Sequence, residues 1–116
     1  MTAPLEQAAA ILDGSWPVHM HPARAAAWVT RSALEEILRD LVRAKGCESN
    51  GANTRSLLSC LEVLYQDDPQ VAGRAQYAWD ALSNASHHHA YELAPTVSEI
   101  ADLIETVRAL HGVGAR

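Results

Sequence analysis

Three consecutive histidines, His87, His88 and His89, stand at the centre of a segment running from Trp79 to Pro95. Imidazole is the side chain that changes charge near neutral pH, so such a cluster is where proton transfer or metal ligation is sought first. Successive side chains on a helix lie about 100° apart, and three in a row cannot share one site. The partners open to each are those three or four residues away. By that spacing Asn84, His88 and Glu92 form a polar row, each member one turn from the next. A carboxylate beside an imidazole fixes its tautomer and raises its basicity, the arrangement of a general base. His89 instead continues the apolar series Val71, Ala75, Ala78, Leu82 and Ala85, and is expected to face the core or a partner subunit.

Other chemistries compete for the same residues. His88 and Glu92 have the spacing of two metal ligands, to be completed by His19, His21 or His111. No HExxH or paired Cys/His pattern accompanies them, so no metal or other cofactor is assigned. In a structural reading, His89 is a hydrogen-bonded interior histidine and its neighbours are surface groups near a helix end. Ser83 and Ser86 lack the sharp turn that exposes a nucleophilic serine. Cys47 and Cys60 are expected as free thiols.

The elements that must position these residues read as helices throughout. Apolar residues make up 48% of the chain, too many for a disordered one. With no Phe present, core volume must come from Leu, Ala, Val and Ile. Alanine and leucine lose little freedom on a helix. A short helix is expected over Pro4 to Leu12, broken by Asp13-Gly14. Pro22 suits the first turn of a long helix reaching Ala44, with Ala27, Trp28, Leu34, Ile37, Leu38, Leu41 and Val42 on its buried stripe. Gly46 fits its left-handed stop. A third helix, capped by Asn53 or Thr54, runs to Tyr65 and buries Leu57, Leu58, Leu61, Val63 and Leu64. Asp67-Asp68-Pro69 opens a fourth, which continues to about His89. Thr96 and Glu99 form a capping box ahead of a fifth, whose stripe is Val97, Ile100, Leu103, Ile104, Val107 and Leu110 and which ends at Gly112. The fold class is therefore all-α, an antiparallel bundle of four to five helices in one domain over residues 1–116.

Charge narrows the partners. A formal net charge of −5 argues against broad electrostatic binding of nucleic acid but leaves room for a local contact. No apolar run approaches the length that spans a bilayer, and no signal pattern opens the chain, so a cytoplasmic protein is expected. Arg24, Arg31, Arg39 and Arg43 fall near one face of the long helix and offer a strip for phosphate. Arg31, between Thr30 and Ser32, is the strongest of them. The strip's competitor is an ordinary charged face in which Glu35 pairs with Arg39. Trp28 and Trp79 are expected as core or interface anchors.

Two stretches, Arg24-Ala-Ala-Ala-Trp-Val-Thr-Arg-Ser-Ala-Leu-Glu-Glu and Trp79-Asp-Ala-Leu-Ser-Asn-Ala-Ser-His-His-His-Ala-Tyr-Glu-Leu-Ala-Pro, together with the five-helix layout, resemble the HEPN superfamily. The resemblance is strongest to its small actinobacterial members and spans nearly the whole chain. It implies a homodimeric helical bundle from a toxin–antitoxin, phage-defence or RNA-processing system, in many cases a metal-independent endoribonuclease. The family signature is an arginine, a spacer of four to six residues and a histidine, continued in one subset as His-x-Tyr. His89-Ala90-Tyr91 matches the second part. Asn84 occupies the place where a four-residue spacer puts the arginine, and the longer spacers meet none either. The nearest upstream arginine, Arg74, is about four helical turns from His89. Arg24 or Arg31 would have to supply the guanidinium from across the bundle. In such a ribonuclease the histidine moves a proton at the 2′-hydroxyl or leaving oxygen, while the guanidinium stabilises charge on the phosphate. The resulting expectation is RNA binding or cleavage at a dimer cleft built from the fourth helices. Its alternative is a catalytically inactive module that docks a partner protein, such as an antitoxin or a component of a defence complex. Likeness to one toxin subset also implies nucleotidylation of Tyr91.

Overall fold

A computed structural model describes residues 3–49, 51–87 and 94–114, in which every regular element is a helix. They are α1 (Ala3–Asp13), α2 (Pro22–Ala44), α3 (Thr54–Leu64), α4 (Pro69–Ser86) and α5 (Val97–Gly114). The expected bundle is thus observed. The central element is α2, 23 residues long, which packs against each of the other four. Its buried stripe of Leu34, Ile37, Leu38, Leu41 and Val42 meets Leu57 and Leu61 of α3, Ala78 and Leu82 of α4, and Leu103 and Val107 of α5 in one core. Small residues let the helices approach: Ala23, Ala25, Ala26 and Ala27 open α2, and Ala75 and Ala78 lie on α4, all buried.

The helix ends follow their sequence signals closely. Asn53 accepts the backbone N–H of Ser56 at 2.9 Å, and Thr96 accepts that of Glu99 at 3.1 Å. At the end of α2, Gly46 takes φ +82°. Its N–H reaches the carbonyl of Arg43 and that of Cys47 reaches Val42, the paired bonds of a Schellman stop. A side chain there would be strained, which is why glycine stands at that position. His21 has a use the sequence did not announce. Its Nδ1 accepts the N–H of Ala23 at 3.2 Å and caps α2 ahead of Pro22.

Five expectations are corrected. Trp28 is 60% exposed rather than buried. On the helix it lies roughly 110° round from the direction of Leu34, Leu38 and Leu41, outside the buried stripe. Val63 and Val97 are likewise exposed, Val63 on the face of α3 opposite Leu57 and Leu61 and Val97 at the edge of the apolar arc of α5. Asp68 precedes α4 without accepting a side-chain capping bond. Arg39 pairs with Glu36 at 3.8 Å and not with Glu35.

Candidate functional site

The largest departure concerns α4 itself. The sequence pattern carries this helix to His89, but it stops at Ser86, and His87 is extended at φ −83°, ψ 142°. One local and two long-range hydrogen bonds hold this end. The hydroxyl of Ser86 donates to the carbonyl of Leu82 at 2.7 Å, a back-bond that competes with helix continuation. Arg24, reaching over from α2, donates through Nη1 to the carbonyl of Ala85 at 3.3 Å and to that of His87. A helix leaves its last carbonyls without partners, and a cation at that end also meets the negative pole of the dipole. Arg24 serves as both donor and cation from a neighbouring helix. It is 7% exposed.

The row of Asn84, His88 and Glu92 presupposes helical spacing that ends two residues beyond Asn84. Asn84 itself is exposed in the last turn of α4, and its carbonyl accepts the N–H of His87 at 3.3 Å. His88, His89, Tyr91 and Glu92 lie outside the described residues.

Arg24 and Arg31 are two turns apart on α2 and run antiparallel to α4, so both face its C-terminal half. Arg31 lies with its guanidinium carbon 4.6 Å from the centre of the Trp79 ring, a cation–π contact. Its Nε is buried and finds no hydrogen-bond partner among the described residues; the same holds for the Ser83 hydroxyl, one turn beyond Trp79. Buried donors are nearly always paired, and one left unpaired costs about 1–3 kcal/mol. Composition gave no sign of this cluster. The signal that finds it is the spacing of seven between Arg24 and Arg31, laid against an antiparallel α4.

The remaining arginines of the proposed strip disperse. Arg39 bonds the carbonyl of Ala52 at 3.5 Å, and Arg43 pairs with Asp40 at 2.9 Å on the surface. Among the described residues no group of three His, Cys, Asp or Glu side chains is placed to hold a metal ion. Cys47 and Cys60 are free thiols. No described helix is long and apolar enough to cross a membrane.

Comparison of the chain with protein-family models, with curated proteins and with solved structures gives no match.

Proposed function

We propose that this chain is a HEPN-like helical domain that binds or cleaves RNA at a homodimer cleft, in a bacterial defence or toxin–antitoxin setting. The observation that carries this reading is the delivery of two α2 guanidinium groups, Arg24 and Arg31, to the C-terminal half of α4, next to the histidine segment. The family arginine missing from α4 at Asn84 is in this way replaced from across the bundle. The roles then divide. Arg24 fixes the backbone from which the histidines depart, and Arg31 is the phosphate-binding cation. His89 is assigned the proton transfer at the 2′-hydroxyl or leaving oxygen, with His88, Asn84, Tyr91 and Glu92 as the further candidate residues of that site.

One observation favours the alternative, an inactive module that docks a partner protein. Arg24 is buried and its Nη1 is committed to two carbonyls, which leaves Arg31 to meet a phosphate alone.

The test is incubation of the purified protein with total RNA in excess EDTA, wild type beside His89→Ala, His88→Ala and Arg31→Gln. Cleavage by the wild type, lost in His89→Ala and weakened in Arg31→Gln, is the expected outcome. Cleavage that survives both histidine substitutions removes the site assignment, and the absence of cleavage and of RNA binding leaves the docking module. Solution mass is a second check, because a chain that stays monomeric at tens of micromolar has no dimer cleft.

A further inference from the structure

A groove of about 480 Å³ lies where α2 meets the first turn of α1 and the end of α5. Its floor is apolar: Leu5, Val29, Ala33 and Ile37. At one end stands Trp28, an indole 60% exposed. Along its length lie three carboxylates, Glu35, Glu36 and Asp40. Glu36 and Asp40 have arginine neighbours on the same helix, at 3.8 and 2.9 Å. Glu35 is half-buried at the groove and has no ion pair among the described residues.

We infer that this groove docks a basic amphipathic helical segment of a partner protein, its apolar side on the floor and Trp28, its lysines or arginines on Glu35, Glu36 and Asp40. Three observations select this occupant. From Trp28 to Asp40 the groove follows α2 for about 18 Å, at 1.5 Å per residue, which is the length of a three-turn helix and more than a compact amine fills. Aromatic face and carboxylates together attract a cation that has an apolar stem, which is what lysine and arginine present. A second copy of the chain does not complement it, since a two-fold contact would set the Glu35 carboxylates of both copies in one interface. The net charge of −5 steers a basic partner in the same direction.

The inference does not depend on RNA chemistry and is tested separately. The probe is a synthetic peptide of about 14 residues, with leucine at helical spacing and lysine elsewhere, titrated into the full chain and followed calorimetrically. Its counterpart carries glutamate in place of lysine. The lysine peptide is expected to bind at least about tenfold more tightly than the glutamate peptide, and Trp28→Ala to weaken it about tenfold. Glu35→Lys and Glu62→Lys change the net charge equally, and Glu62 is exposed on α3. Only Glu35→Lys is expected to weaken binding strongly. All three positions are exposed or half-buried, and a helical circular dichroism spectrum equal to the wild type's verifies that each variant folds. Equal weakening by the two lysine variants overturns the inference, because the field of the whole protein then suffices. Equal affinity for the two peptides overturns it as well. So does sedimentation in which Trp28→Ala dissociates a dimer of the free protein, which makes the occupant a second copy.

Discussion

The bundle has two cation–aromatic contacts along α2, one at its C-terminal end and one near its middle, and the two are finished differently. At the C-terminal end Lys45 lies 4.7 Å from the centre of the Tyr65 ring, and the Tyr65 hydroxyl donates to the carbonyl of Leu41 at 2.7 Å. The Schellman bonds of Gly46 and Cys47 close the helix beside it. Near the middle of the helix Arg31 lies over Trp79 at 4.6 Å, but its Nε and the Ser83 hydroxyl have no partner among the described residues. Arg24 holds two carbonyls of a helix end that would otherwise run on. A completed polar network specifies a fold, and an incomplete one retains donors at a cost in stability. The difference teaches which end is scaffold. The Tyr65 end is complete in itself, whereas at the Arg31 end two buried donors have no partner among the described residues.

Substitutions at both ends sharpen the contrast, beginning with the largest effect. Arg24→Ala removes a buried charged donor from two carbonyls and is expected to cost about 2–3 kcal/mol in urea unfolding. Arg24→Lys, which keeps a charge on a less exact donor, restores part of it. A loss below about 0.5 kcal/mol in Arg24→Ala breaks the assignment of Arg24 as the interhelical stop of α4. Tyr65→Phe leaves the Leu41 carbonyl without its donor and is expected to cost about 1–2 kcal/mol by the same measurement.

The Tyr65 end also has a pH signature. Burial raises the pKa of this phenol above the ordinary 10.0, and the nearby Asp67 carboxylate adds to the rise. The folded state thus holds the proton more tightly than the unfolded chain. The contribution is complete below pH 10, and it is lost as pH rises through the folded-state value. Melting temperature is expected to fall more steeply above pH 10 in the wild type than in Tyr65→Phe, and parallel curves contradict this.

The smallest effect is at Ser83. Deleting a hydroxyl that has no partner among the described residues is expected to leave stability unchanged or raise it by up to about 1 kcal/mol. A clear loss in Ser83→Ala shows instead that the hydroxyl is satisfied, and the contrast between the two ends weakens accordingly.

The sequence made the scaffold legible because its signals are local. Pro22, Gly46, Asn53 and Thr96 act on the residues next to them, and each is found at the helix end it marks. The stop of α4 was not legible. It depends on Arg24, 63 positions from His87 in sequence, and on a serine back-bond that a periodic apolar pattern does not reveal. Trp28 misled for a different reason: its apolar character placed it inward, while its position on the helix lies outside the buried stripe. Of the polar row, only Asn84 lies on α4, which ends at Ser86, and His88 and Glu92 lie outside the described residues.

The most direct measurement compares the two ends for RNA. Fluorescence anisotropy with a short labelled single-stranded RNA, in EDTA, is read for the wild type, Arg31→Gln and Lys45→Gln. The two variants remove one positive charge each, one from either cation–aromatic contact. Arg31→Gln is predicted to weaken binding about tenfold or more, the value of a charge-assisted bond to phosphate, and Lys45→Gln to change it less than about twofold. Equal losses in the two variants, or no binding by the wild type, would contradict an RNA site at the Arg31 end.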